Sequence, residues 1–125
     1  MSTRCQIGIY SVRPSIARND LGKYEALIYC HSDGYPEGII PQIVPFIKRF
    51  KEARGNDTEY LAARLLQYLC NEADRVIPEW STIGFGLGHS LRGDIEYYYA
   101  VSPYYVDVYE VTGSDWGTKI DSIPL

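Results

Sequence analysis

His31, Asp33, Tyr35 and Glu37 crowd into one short stretch, CHSDGYPEGIIP (Cys30–Pro41), and two further carboxylates, Asp94 and Glu96, stand two apart in GDIEYYY (Gly93–Tyr99). Histidine and carboxylates are the side chains that hold a divalent metal, so His31, Asp33, Asp94 and Glu96 form a candidate ligand set by residue type. Their spacing matches no established metal motif. If Asp94 and Glu96 share one face of a strand, they repel each other. Such a pair binds a metal, meets an arginine or sits in solvent, and Arg4 is the candidate arginine. A ligand reading uses the same residues differently: Arg4 contacts a phosphate, and Tyr35 or Tyr97 stacks on a base. The plain alternative needs no ligand. Asp33-Gly34 is then an ordinary turn, Glu37 complements the positive end of the next helix and His31 ends a strand.

Other routes to chemistry are thinner. His89 lies in the loop HSLRGD, and no GxSxG, HExxH or nucleotide-binding glycine loop occurs. Cys30 adjoins His31, but neighbours on a strand point to opposite faces, so the histidine is not placed as its base. No catalytic residue and no cofactor are assigned.

The elements that position these residues follow from periodicity. Thr3 to Ser11 alternates, with Cys5, Ile7 and Ile9 on one face; Tyr24 to His31 reads as a second strand. A hairpin of the two brings Arg4 and His31 to one end of the sheet. Ile40, Ile43, Val44, Ile47 and Phe50 recur at helical spacing, with Pro45 predicting a late or irregular start and Gly55 the end. Asp57 and its neighbours look like a cap for a second helix to about Asp74, with Leu61, Leu65 and Leu69 inward.

A strand block follows. Thr82 to Gly88 alternates Ile83, Phe85 and Leu87 against Gly84, Gly86 and Gly88, and the glycine face predicts the close approach of a helix. Gly93 is expected in the left-handed position of a bulged hairpin. In DIEYYYAV, Ile95, Tyr97 and Tyr99 share the inward face, leaving Asp94, Glu96 and Tyr98 outward. YYVDVYEV is a further strand, and the tail either adds an edge strand or packs down. The whole reads as one α+β domain over residues 1–125. It has a mostly antiparallel sheet of about five strands with two helices packed on one face, in the order ββααβββ. The other face is then solvated or covered by a partner.

A chain of 125 residues buries roughly two thirds of its unfolded surface, enough for a core without disulfides or metals. The net charge of −4 opposes sequence-independent nucleic-acid binding and favours a basic partner. Twelve tyrosines against three phenylalanines suggest either a contact surface or a liking for strands. Three cysteines in apolar runs, with no CxxC, fit a reducing cytoplasm. No signal peptide or membrane span is expected.

Once these stretches are set side by side, the chain resembles a group of small phage and prophage proteins. The resemblance rests on STR (Ser2–Arg4), HSDGYPEG (His31–Gly38) and GDIEYYY, in that order. The matching positions are Arg4, His31, Asp33, Gly34, Tyr35, Pro36, Glu37, Gly38, Asp94, Glu96 and Tyr97. The resemblance implies a setting, not a mechanism: small phage proteins often act by binding, and many block a host defence.

The expectation is therefore an accessory protein in the host cytosol that binds a host protein or a small nucleotide signal. Arg4, His31, Asp33, Tyr35, Glu37, Asp94, Glu96, Tyr97 and Tyr98 would form the binding residues. Outward Tyr98, Tyr104, Tyr105 and Tyr109 would give contact area, and an open tyrosine-rich edge would allow a homodimer. The alternative is a metal-dependent phosphodiesterase or hydrolase on His31, Asp33, Asp94 and Glu96.

Overall fold

The computed structural model describes residues 3–15, 21–112 and 115–125. Ser2 of the STR segment, residues 16–20 of the polar connection and residues 113–114 lie outside them.

The chain runs β1 (Cys5–Ile9), β2 (Ala26–Cys30), α1 (Pro36–Arg54), α2 (Thr58–Val76), a single turn of helix α3 (Ser81–Gly84), β3 (Phe85–Leu87), β4 (Tyr97–Ser102), β5 (Tyr105–Thr112) and β6 (Asp115–Pro124). The six strands form one sheet in the order β3-β2-β1-β4-β5-β6. Pairing is antiparallel except between β1 and β4, which are parallel. The expected α+β class, the mostly antiparallel sheet and the helical pair are all present. The tail supplies the sixth strand.

Core packing follows the two periodicities. Cys5, Ile7, Ile9, Ile28, Cys30, Tyr99, Val101, Val106 and Val108 project to one face of the sheet. There they meet Ile39, Ile43, Ile47 and Phe50 of α1 and Leu61, Leu65 and Leu69 of α2. Each fully buried Leu or Ile contributes roughly 1.5–3 kcal/mol. Asp57 caps α2 through its side chain, which accepts from the Tyr60 N–H, and Gly55 closes α1 at φ 61°.

α1 departs from its expected start. It begins at Pro36 and runs through Pro41 and Pro45. Both prolines are exposed and four residues apart. The carbonyls that lose their donors thus lie on the solvent side, where water replaces the missing N–H groups.

The second face is not left for a partner. Tyr10, Leu21, Leu27, Ile95, Tyr98, Ala100, Tyr105, Tyr109 and Val111 form a cluster of their own there. Tyr98 and Tyr109 are fully buried and Tyr105 nearly so, and of the four expected contact tyrosines only Tyr104 is exposed. Tyrosine is used here as core, with the Tyr10 and Tyr98 hydroxyls bonded to each other inside it. Ile95 also departs from expectation, because β4 begins only at Tyr97 and the alternation does not extend back through 94–96. Ile95 joins Tyr98, not Tyr97 and Tyr99.

The glycine-rich strand is corrected as well. Residues 81–84 are helical, and β3 holds three residues at the sheet edge, with Ile83 and Leu87 exposed. No helix lies on its glycines: a β-carbon on Gly88 would press on Gln6 and Leu27, and one on Gly86 would meet nothing. The segment from β3 to β4 is not a hairpin, since those strands lie at different places in the sheet. It crosses the second face, and Gly93 is not in the left-handed region.

Tyrosine-rich β4 and β5 are interior strands, so they offer no open edge for a dimer. Of the real edges, β3 is short, and β6 is interrupted by register shifts opposite Val108/Tyr109 and Glu110/Thr112. Short length and bulges are the usual means of blunting an edge.

Candidate functional site

The register Cys5↔Cys30 brings Arg4 and His31 to the same end of the sheet, as expected. The HSDGYPEG turn grows out of that end, and its geometry is mostly that of a scaffold. Asp33 adopts φ 58°. Gly34 is buried; its N–H donates to the Thr3 carbonyl at 2.9 Å, and its own carbonyl accepts from the Tyr99 hydroxyl at 2.6 Å. A β-carbon on Gly34 would come within 2.8 Å of the Cys5 Sγ. Pro36 opens α1 and Glu37 occupies its first turn. A β-carbon on Gly38 would press on the Asp33 carbonyl and the Tyr35 ring. Asp33, Gly34, Pro36 and Gly38 each answer here to backbone geometry, and the side chains of Tyr35 and Glu37 remain exposed.

The remaining candidates fall into two groups. The first lies on the second face. Asp94 accepts from Arg92 Nε at 2.8 Å and Nη2 at 2.7 Å, and Arg4 Nη1 stands 3.8 Å away. These bonds from Arg92 hold the Asp94 carboxyl below its usual range. The Arg92 guanidinium lies over the Tyr29 ring, 4.2 Å from its centre, and the Tyr29 hydroxyl meets His31 Nδ1 at 3.0 Å. Buried Gln6 positions this crossing segment: its Nε2 donates to the Ser90 carbonyl at 3.1 Å, and its Oε1 accepts from the Arg92 N–H at 2.9 Å. Arg4, Asp94 and His31 thus belong to one continuous chain of contacts, linked by Arg92 and Tyr29.

That chain competes with a metal at Asp94. Both oxygens of Asp94 already face a guanidinium, the cation that a metal would have to displace. Among the described residues, no three His, Cys, Asp or Glu side chains group so as to hold a metal ion. The expected set of His31, Asp33, Asp94 and Glu96 does not converge.

The second group surrounds Tyr97, on the helix side of β4. Tyr97 pairs with Glu110 across β4 and β5. Burial raises the Tyr97 phenol, and the charges of Glu110, Glu37 and Glu96 raise it further. All three glutamates are exposed. Among the described residues none has a cationic partner. Beside them, Pro36, Ile40, Pro41, Val108, Ile120 and Ile123 line a shallow groove between α1 and β6, with Glu37 and Asp121 on its rim. Tyr98, expected to join this surface, is buried on the opposite face.

Sequence reasoning missed the strongest ion pair. Asp107 is fully buried, and Arg13 reaches it through Nε at 2.9 Å and Nη2 at 2.6 Å; Ser122 Oγ donates at 2.7 Å and Lys119 Nζ lies at 3.6 Å. An aspartate inside the apolar run YYVDVYEV was the available signal, because a charge at a core position requires a partner.

Comparison with protein-family models, with curated proteins and with solved structures gives no match to this chain. No helix among the described residues is long and apolar enough to cross a membrane.

Proposed function

We propose that this chain is a non-catalytic binding protein of the phage accessory type, acting in the host cytosol by occluding a basic surface on a host defence factor. The observation that carries the reading is the cluster of Glu37, Glu96 and Glu110 about half-buried Tyr97. Three carboxylates at one end of a sheet, with no cationic partner among the described residues, repel one another and gain when a cationic surface arrives. Tyr35 and Tyr97 add aromatic area at the same end. The net charge of −4 acts in the same direction at long range. The resemblance to small phage proteins supplies the setting.

The sequestration variant rests on the other group. Arg4 and Arg92 share a single carboxylate, Asp94, which leaves one positive charge over for a phosphate. The two variants separate by mutation. Defence-bearing host cells expressing the chain are infected, and plaque formation is scored. Occlusion predicts that infection is rescued by the native chain and not by the Glu37→Lys/Glu96→Lys/Glu110→Lys variant, while Arg4→Ala has no effect. The reverse pattern, with a nucleotide-dependent rise in melting temperature lost in Arg4→Ala, assigns the nucleotide variant. No rescue by the folded native chain in any defence background tested rejects both.

A further inference from the structure

Cys5 and Cys30 are direct partners in the antiparallel pair β1–β2. Such partners have Cα atoms about 4.5–5.5 Å apart, inside the roughly 4.4–6.8 Å that a disulfide spans. Their side chains lie on the same face of the sheet, in one core cluster, and the Cys30 thiol donates to the Ser32 carbonyl at 2.9 Å. Both are free and buried, but their surroundings differ. Cys5 is enclosed by the sheet and by Gly34. Cys30 borders a cavity of about 230 Å³ between the helices and β3, walled by Ile39, Val76, Trp80 and Phe85. Asp33 and Glu72 also line this cavity.

We propose that Cys30 and Cys5 form a peroxide-reactive dithiol pair, Cys30 being the attacking sulfur and Cys5 the resolving one. The cavity admits a molecule of that size, and its carboxylates disfavour anionic oxidants, which selects neutral hydrogen peroxide. The neighbouring Cys5 thiol and the Ser32 backbone lower the Cys30 thiol from its ordinary value against burial and the charge of Asp33, which favours Cys30 as the thiolate. In the first step the Cys30 thiolate attacks one peroxide oxygen. The O–O bond breaks, an S–O bond forms, and the departing hydroxide takes a proton to leave as water. In the second step the Cys5 sulfur attacks the Cys30 sulfenic acid. The S–S bond forms, the S–O bond breaks, and the Cys5 proton leaves with the hydroxyl as a second water. The two thiols give up two electrons in all and the peroxide takes both. A dithiol reductant reverses the linkage by exchange.

The linkage would sit directly beneath the DGYPEG turn, since Gly34 rests on Cys5. It would staple the chain between β1 and β2 at the end that carries Arg4 and His31.

The purified chain is treated with hydrogen peroxide under conditions where circular dichroism shows it folded, then alkylated in denaturant and mass-mapped. The expected product has lost two hydrogens, yields a Cys5–Cys30 linked peptide and returns to the dithiol with dithiothreitol, while Cys70 alkylates normally. In Cys5→Ser, dimedone should trap a sulfenic acid at Cys30; in Cys30→Ser, Cys5 should stay unmodified. Linkage only where the chain unfolds, pairing through Cys70, or oxidation of Cys5 without Cys30 would overturn the assignment. So would full alkylation of both thiols after peroxide exposure that oxidises free cysteine.

Discussion

The Tyr98 ring lies over Gly8, and a β-carbon on Gly8 would collide with the Tyr98 hydroxyl. That hydroxyl donates to the Tyr10 oxygen, and the Tyr10 hydroxyl passes its own proton to the Leu21 carbonyl at 2.5 Å. One missing side chain on β1 thus allows a tyrosine to lie flat across the parallel pair and tie down the segment at Leu21. Gly8→Ala is expected to cost about 2–3 kcal/mol, as overpacking does in a close-packed interior. Tyr98→Phe should cost about 1 kcal/mol, the net value of one buried hydrogen bond. Combined, they should cost less than their sum, because the phenyl ring removes part of the clash. Urea denaturation of the four proteins measures this; strict additivity would show that the two residues do not touch.

Arg13 and Asp107 set the acid response. Burial alone would raise the Asp107 carboxyl, but the bonds from Arg13 and Ser122 and the charge of Lys119 outweigh it and leave it lowered. A carboxyl lowered by folding adds stability that is present above its unfolded value of about 4 and is lost as pH falls through the folded one. Arg13→Ala should cost about 2–3 kcal/mol at pH 7. That is less than for a fully enclosed pair, because the Arg13 side chain is half-exposed and screened. The gap between native and variant should close below about pH 4. Urea melts from pH 7 to pH 3 test this, and a gap that stayed constant would remove Asp107 as its source.

The DGYPEG turn should respond by position. Gly34→Ala forces a methyl against Cys5 and should cost about 2–3 kcal/mol. Asp33→Val should cost about 1–2 kcal/mol, because a β-branched residue resists the positive φ found there. Glu37→Ala, exposed in the first helical turn, should cost under about 1 kcal/mol. Thermal melts of the three variants give the order directly; equal losses would contradict a backbone role for Gly34.

Pro45 should be removable at a profit in stability. It is exposed within α1, and alanine restores a donor to the Pro41 carbonyl. A gain of about 1 kcal/mol is expected in Pro45→Ala, the helical gain being partly offset by a freer unfolded chain. A loss on denaturation would mean that the ring has a contact worth more than the hydrogen bond.

Much of the scaffold was legible because it rests on local periodicity. The β1–β2 hairpin, the Asp57 cap, the Leu61/Leu65/Leu69 stripe and the Gly55 stop are all written in neighbouring residues. What stayed hidden depends on pairing at a distance. Nothing near Tyr98 says that the face it points to is closed by Tyr10 and Leu21. Nothing near Asp94 says that Arg92, two residues back, will turn onto it after crossing Gln6. The helical start at Pro36 was obscured because proline counts against a helix unless its exposed side is known. The division of the candidate site was not legible either: a parity shift at residues 94–96 separates Asp94, held by Arg92, from Glu96, which lies near Tyr97, and only the backbone reveals that shift.

The parallel join of β1 to β4 has a consequence for the order of assembly. The two middle strands of the sheet come from opposite ends of the chain, with the hairpin's return strand and both long helices made between them. During synthesis, β1 must wait with one flank open until residues 97–101 have left the ribosome. Such distant pairing slows folding and prolongs the exposure of an unpaired apolar strand. Nascent chains stalled before Tyr97 should therefore be held by chaperones or aggregate, and the chain should become protease-resistant only after its last strands emerge.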